Sequence, residues 1–199
     1  SSQSGRKTCR WFFLARLAYY PLVVSKMVRR TFMAYTLDQI VADCRAALIQ
    51  DTGAVGRNAV RKFVELACLD DGFVATHLGP DNDTPRQVLY EDDELGFCIL
   101  VHVAPPETGL PHGHGPTWAI YGIAAGVTEM TDWHCTEQPD GRTAGKVVKV
   151  KSYELPVGTA HLYNEGDLHS SRREHEVRMI RVEGINLMGV RRPRYETMN

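Results

Sequence analysis

Two histidines lie one residue apart in the segment PHGHGPTWAIYGIAAG, which spans residues 111–126. The segment continues into an apolar, glycine-rich run that is typical of a β-strand. Because side chains i and i+2 of a strand share one face, His112 and His114 are expected to point the same way. Imidazole is a ligand for zinc, iron, copper and nickel. The spacing therefore predicts two ligands of one metal ion and requires a third from elsewhere in the chain.

The third ligand has two candidates, both in the segment ELPVGTAHLYNEGDLHSSRREHEVRMIRVEG. His161 follows Pro156 and Gly158, and His169 follows Gly166. Three imidazoles would leave coordination positions open, which is typical of a catalytic metal site rather than a closed structural one. The residues alone leave the choice between His161 and His169 open.

The composition fits one soluble globular domain and excludes several function classes. The 199 residues are 43% hydrophobic and 24% charged, and the net charge is −1. No nucleic-acid-binding motif accompanies this charge balance, so we expect no nucleic-acid partner. The five cysteines are an odd number without CxxC spacing, which favours a reducing, cytoplasmic location.

The first 32 residues differ from the rest, because they contain seven lysines or arginines and no acidic residue. Their apolar stretch, residues 11–24, is shorter than the ~20 residues of a membrane helix and is interrupted by Arg16 and Pro21. A transit-type presequence, a signal anchor and translated sequence upstream of the true start all fit. We favour the last, because a convincing domain begins at Met33, and we expect no stable membrane association. The functional domain is predicted over residues 33–199.

Helical patterns occupy residues 33–80. Three helices are predicted, in LDQIVADCRAALI after the N-cap Thr36, in RNAVRKFVELACL, and in DGFVATHL before Gly79. From about residue 85 to 190 the pattern changes to seven or eight short strands, rich in β-branched and aromatic residues. These strands predict a small barrel or jelly roll with the helices against it.

The histidine segments resemble the cupin superfamily, whose first motif is His-x-His and whose second is G-x5-P-x-G-x2-H. The second motif is matched at full spacing, with asparagine in place of proline, by Gly158, Asn164, Gly166 and His169. His161 fits only the latter half of that motif. In cupins the second-motif histidine lies on a strand that turns back into the last barrel strand. The resemblance therefore favours His169, with His161 as the alternative.

The usual cupin carboxylate ligand falls at Ala119, which leaves three histidines. In this respect residues 36–190 resemble the cysteine dioxygenase-type cupins, which hold Fe(II) with three histidines and add both atoms of O2 to a thiol. The resemblance implies a mainly β fold, a double-stranded β-helix or jelly-roll barrel preceded by two or three helices. It implies Fe(II), with Ni, Mn or Zn as alternatives. The implied partners are O2 and a small carboxylate-bearing thiol, which is oxidised to a sulfinate. The implied oligomeric state is a monomer or a homodimer.

An arginine on an early strand binds the substrate carboxylate in that family, and Arg86 lies near the corresponding place. A guanidinium matches a carboxylate in a bidentate fork. The cysteine that the family cross-links to tyrosine falls at Ala119, so that cross-link cannot form here. Tyr121 shares the strand face of Ala119 and is a further candidate site residue.

The family's Ser-x-His-x-Tyr on the last strand falls at Met179, Arg181 and Glu183. Alternation points Arg181 and Glu183 into the barrel, where we expect the two charges to pair. This departure weakens the case for a cysteine-like substrate. A diketone-cleaving oxygenase or isomerase with the same metal site, and a non-enzymatic small-molecule-binding cupin, are the alternatives.

Overall fold

The computed structural model describes residues 34–198, in which three helices precede the strands. The helices are α1 (Leu37–Gln50), α2 (Ala54–Leu69) and α3 (Asp71–Leu78). None of these helices is long and apolar enough to cross a membrane. The predictions for residues 1–32 lie outside the described residues.

The helix starts are set by side-chain caps. Thr36 and Gln39 form a capping box at the start of α1, each side chain bonding the backbone N–H of the other residue. Asp70 caps α3. Helix α2 begins at Ala54, three residues before the predicted start, because the Asp51 carboxylate accepts hydrogen bonds from N–H groups at its beginning.

Ten strands follow the helices and form two five-stranded sheets. They are β1 (Gln87–Glu91), β2 (Cys98–Ala104), β3 (Glu107–Thr108), β4 (Ala119–Ala125), β5 (Thr128–Glu137), β6 (Gly145–Leu155), β7 (Ala160–Tyr163), β8 (Leu168–Arg173), β9 (Val177–Glu183) and β10 (Tyr195–Thr197). The strand orders are β1-β2-β9-β4-β7 in the first sheet and β10-β6-β5-β8-β3 in the second. Neighbouring strands are antiparallel, except that β10 joins β6 in parallel. The predicted mainly β barrel with preceding helices is confirmed.

Strand alternation divides the interior into two cores. On β9, Ile180 and Val182 face the helices, whereas Val177 and Met179 face the second sheet. Helix α2 lies so close to β4 at Gly122 that a Cβ added to this glycine would lie 2.3 Å from Val64 Cγ1. The space between the two sheets therefore receives every second residue of β4 and β9, and this space contains the candidate site.

Two strands, β3 and β10, were not predicted. Each has two or three residues, too few for an alternating pattern, and each pairs at the edge of the second sheet. Strand β10 also carries that sheet beyond the predicted barrel boundary at residue 190.

Candidate metal centre

His112 and His114 do not lie in a regular strand, so the strand placement behind their predicted common direction is wrong. His112 forms an isolated antiparallel bridge, and His114 lies in irregular chain before β4. A turn with Gly115 at φ 67° and the following Pro116 interrupt the strand, since proline has no N–H for a ladder. The partner of the His112 bridge is His169 on β8, and each N–H donates to the other's carbonyl at 2.9 Å.

His112, His114 and His169 form one cluster between the two sheets. A ring nitrogen of each lies within 4.8 Å of those of the other two. His114 and His169 are 0% exposed, and His112 is half-buried. His161 lies outside this cluster on β7, where its ring packs against Tyr163 with centroids 4.5 Å apart.

The cluster has free nitrogen atoms for a metal ion. His114 Nδ1 and both ring nitrogens of His169 are buried without a hydrogen-bond partner among residues 34–198. Nδ1 of His112 lies 2.9 Å from the carbonyl of Leu110, so an Nδ1–H donates there and Nε2 keeps its lone pair. Most buried polar atoms in folded proteins have a hydrogen-bond partner, so unpartnered nitrogens within 4.8 Å of one another fit a bound cation.

The surroundings keep all three imidazoles neutral. Burial is the main cause that lowers the pKa of each, and the positive charge of Arg181 acts in the same direction. The pKa of His114 falls to about 2, and that of His169 lies well below its ordinary value. Neutral imidazole is the form that binds metal ions. The three-histidine cluster could therefore hold a metal ion, and the donor set leaves the identity of that ion open.

Two tyrosines pack against the cluster. The Tyr121 hydroxyl lies 2.9 Å from His114 Nε2, and burial raises the pKa of Tyr121, so its phenol keeps its proton. The ring of Tyr163 stacks on His169 at 3.8 Å. Tyr121 thus brings a phenol to the site from β4.

A hydrogen-bonded chain runs from Tyr163 toward the surface. Its hydroxyl lies 2.9 Å from that of Tyr153, which donates to Asp132 at 3.0 Å. Asp132 stands opposite His169 in the β5–β8 register. Sequence reasoning missed Tyr153 and Asp132. Strand alternation could have placed them near the site, but only once the pairing of β5 with β6 and β8 was known.

Arg181 and Glu183 point into the barrel and pair, which confirms that expectation. Arg181 Nη2 lies 2.6 Å from Glu183 Oε1, and the side chains are 10% and 1% exposed. The contact is an ion pair without hydrogen-bond geometry, and Arg181 Nε and Nη2 have no hydrogen-bond partner in the described chain. The guanidinium also lies over the ring of Tyr121, 4.1 Å from its centroid. The Nε–H group of Arg181 is therefore left without a partner among the described residues.

Arg86 directly precedes β1 and is bound to protein groups in this structure. Its Nη2 donates to Glu183 Oε2 at 3.2 Å and to Asn186 Oδ1 at 2.8 Å. The charge of Arg86 is thus matched by a buried carboxylate. A role for Arg86 in binding a substrate carboxylate stays a prediction.

A cavity of about 960 Å³ opens against the cluster at His112. Its wall includes Ser171 and several basic residues of the chain near residues 142–146 and 192–194. Sequence reasoning missed this cavity, because its walls come from segments far apart in the chain without a motif. The C-terminal segment contributes Arg192, which no pattern singled out.

No family model and no curated protein matches this chain. Distant structural likenesses include the cupin domain of Schizosaccharomyces pombe Cnp3, at 11% identity over 52% of this chain and 65% of that one, with a TM-score of 0.39. The DMSP lyase DddQ of Ruegeria pomeroyi matches at 15% identity over 55% of this chain and 50% of its own, with a TM-score of 0.39. A cupin-2 domain containing protein of Shewanella frigidimarina matches at 12% identity over 51% and 81%, with a TM-score of 0.37. These matches are too distant to carry an argument about function.

The strand order and the site define the class. Residues 34–198 form a mainly β barrel of two sheets preceded by three helices, and a three-histidine cluster that could hold a metal ion lies between the sheets.

Proposed function

We propose that the protein is a mononuclear Fe(II) dioxygenase that adds both atoms of O2 to a small carboxylate-bearing thiol. The observation that carries the proposal is a cluster of three neutral imidazoles with no carboxylate among its candidate ligands. The acid position of the cupin motif is Ala119, which is 0% exposed and offers no donor. The reaction balances as R–SH + O2 giving R–SO2− and a proton.

When bound, Fe(II) supplies a centre at which a thiolate and O2 react despite the spin barrier of O2. His112, His114 and His169 would hold it. Since these ligands are uncharged, they leave the full positive charge of the ion to attract an anionic thiolate, which a carboxylate ligand would reduce. The donor set supports an anionic sulfur substrate over a neutral one.

The surrounding residues favour the same substrate form. Arg181 places a buried positive charge near the cluster, and its Nε–H, which has no partner among residues 34–198, can donate to an anionic substrate. The phenol of Tyr121 keeps its proton and can donate a hydrogen bond at the reacting atoms. The walls around His114 and His169 exclude water, which strengthens both interactions.

A second candidate keeps the metal and changes the reaction to cleavage of a diketone or an isomerisation. It is favoured by the Arg181–Glu183 pair, which stands where the thiol dioxygenases have Ser-x-His-x-Tyr. A non-enzymatic small-molecule-binding protein is the remaining alternative, and it predicts no turnover of any substrate.

Oxygen uptake by anaerobically iron-loaded protein tests these alternatives. The substrates are cysteine, 3-mercaptopropionate, mercaptosuccinate and a β-diketone, and mass spectrometry identifies the product. Thiol-dependent uptake with a sulfinate product, abolished in His169→Ala and kept in the matched His161→Ala, is the expected result. Uptake with the diketone alone would replace the thiol reaction by the second candidate. Bound iron without oxygen uptake on any substrate would favour the third alternative, a non-enzymatic small-molecule-binding protein.

A further inference from the structure

The arginines of the described chain fall into two groups. Residues 34–198 contain twelve arginines. Eight of them form an ion pair with a carboxylate: Arg45, Arg57, Arg61, Arg86, Arg172, Arg173, Arg178 and Arg181. The other four form no ion pair with a described residue: Arg142, Arg191, Arg192 and Arg194. The charges that the protein leaves uncompensated are therefore a defined set.

All four unpaired arginines line one concavity of about 330 Å³, which we call the arginine concavity. The rest of its wall, as far as residues 34–198 form it, consists of uncharged residues: Pro139, Gly141, Thr143 and Pro193. The three clustered histidines are not part of this wall. Since concave walls of low dielectric focus the field of the charges that line them, the arginine concavity attracts anions.

Two segments far apart in the sequence form the arginine concavity. Arg142 lies between β5 and β6, and the other three arginines precede β10. Strand β10 pairs in parallel with β6, and the N–H of Gly145 donates to the carbonyl of Arg194 at 2.9 Å. The two segments lie so close that a Cβ added to Gly145 would lie 2.8 Å from Tyr195 Cδ1. Sheet pairing thus holds like charges together against their mutual repulsion.

The acidic residue next to Arg142 in this loop is engaged by the backbone. Asp140 Oδ1 accepts hydrogen bonds from the N–H of Arg142 at 2.8 Å and from the N–H of Thr143 at 2.7 Å. Asp140 shapes the loop and forms no ion pair with a described arginine. The guanidinium groups of the arginine concavity are therefore left for an anion from outside the described chain.

We propose that the arginine concavity binds a small molecule through a diphosphate group. The planar guanidinium group matches pairs of phosphate oxygens with two parallel hydrogen bonds. A phosphate monoester carries about −1.5 to −2 charges at pH 7, so one phosphate leaves about half of the four positive charges uncompensated. Two linked phosphoryl groups come closer to balance. This inference concerns a site apart from the histidine cluster and does not depend on the proposed reaction.

The size of the arginine concavity favours a compact ligand over a polymer. Its volume lies at the lower end of small-molecule sites, which run from roughly 300 to 1,000 Å³. A nucleic acid is bound by cations that follow several successive phosphates of its backbone. The unpaired arginines of residues 34–198 are instead confined to one concavity.

Calorimetric titration of the full-length chain with inorganic pyrophosphate tests the proposal. The protein is first treated with a chelator and desalted, because pyrophosphate itself binds metal ions. We expect one pyrophosphate per chain, and at least tenfold weaker binding of orthophosphate and of a single-stranded oligonucleotide at equal ionic strength. Removing one arginine from each segment, as in Arg142→Gln combined with Arg194→Gln, is expected to lower the affinity for pyrophosphate about tenfold or more.

Two control variants make the result specific. Arg61→Gln combined with Arg172→Gln also removes two positive charges, but both are already paired with carboxylates, so we expect less than a twofold change in affinity. His169→Ala alters the histidine cluster and is expected to bind pyrophosphate like wild type.

Four results would overturn the proposal. They are no binding of pyrophosphate to wild type, equal losses of affinity in the two double variants, loss of affinity in His169→Ala, and tighter binding of the oligonucleotide than of pyrophosphate. Because metal-free protein is used, absence of bound iron or of oxygen uptake would contradict the proposed function and leave this test intact.

Discussion

The carboxylate of Glu183 binds Arg181 inside the barrel, with Oε1 2.6 Å from Nη2. Its other oxygen accepts hydrogen bonds from Arg86 at 3.2 Å and from the N–H of Leu187 at 3.1 Å. One buried carboxylate therefore compensates two guanidinium groups and a backbone donor. Strand β9, the chain before β1 and the chain that follows β9 all meet at this residue.

Replacing Glu183 tests how much the barrel depends on that compensation. Glu183→Gln leaves Arg181 with an uncompensated charge, and we expect a loss of ~3 kcal/mol in the free energy of unfolding. Denaturant unfolding followed by circular dichroism measures it. Glu174→Gln removes an exposed partner of Arg172 and is expected to cost less than ~1 kcal/mol. Similar losses of unfolding free energy in the two variants would show that the buried pair stabilises the protein no more than an exposed pair does.

Removing one hydroxyl tests the role of Tyr121. Tyr121→Phe keeps the ring under Arg181 and loses the group 2.9 Å from His114 Nε2, so we expect a normal fold and metal content with kcat reduced ~10-fold or more. Steady-state oxygen uptake gives kcat and KM. Tyr90→Phe, which removes a phenol bound to Asp92, serves as control. An unchanged kcat in Tyr121→Phe would assign Tyr121 to packing alone.

Metal content separates the two candidate third ligands without any assay of activity. His169→Ala removes a member of the cluster, and we expect less than a tenth of wild-type iron after anaerobic loading and desalting, read by elemental analysis. His161→Ala is expected to retain full stoichiometry. The reverse pattern would place the third ligand on β7.

Asp92 gives a prediction about pH. Burial would raise its pKa, but hydrogen bonds from the N–H of Leu95, from Arg45 and from Tyr90 outweigh burial and lower the pKa to about 2. A lowered folded-state pKa stabilises the protein above the unfolded value near 4, and this stabilisation is lost as the pH falls toward 2.

The lowered pKa of Asp92 contributes about 2 kcal/mol to the free energy of unfolding at pH 7. Asp92→Asn is therefore expected to be less stable than wild type at pH 7, with the difference shrinking between pH 4 and 2. Urea unfolding across this range measures it. A difference that does not depend on pH would contradict the assignment.

The contact between α2 and β4 predicts a cost for added volume. Gly122→Ala places a methyl group 2.3 Å from Val64 Cγ1 and 2.8 Å from Cys68 Sγ, so we expect a loss of ~1–3 kcal/mol. In the Val64→Ala background the same change should cost less, because the nearest atom is gone. A double-mutant cycle measures this coupling. Strict additivity would mean that the helix moves away without cost.

Strand alternation predicted the inward direction of Arg181 and Glu183, because a two-residue period depends only on local geometry. It could not supply the partners of Glu183. Arg86 lies 97 residues away, and their contact exists only because β2 pairs between β1 and β9. Long-range pairing of this kind leaves no mark in a single sequence.

The histidine motif shows what the sequence could predict of the site and what required the fold. The spacing predicts two ligands of one metal at His112 and His114, and both lie in the cluster although their segment is not a regular strand. The choice between His161 and His169 needed the fold, because overlapping halves of one motif fitted both. In the structure His169 lies in the cluster and His161 packs beside Tyr163.

Reciprocal backbone hydrogen bonds between His112 and His169 join two segments 57 positions apart, and these bonds belong to the barrel itself. The loss of chain entropy that brings these ligands together is therefore part of barrel folding and does not weaken ion affinity. This differs from domains in which the ion itself organises the chain. The barrel is thus a preorganised receptor for an ion that these imidazoles could bind.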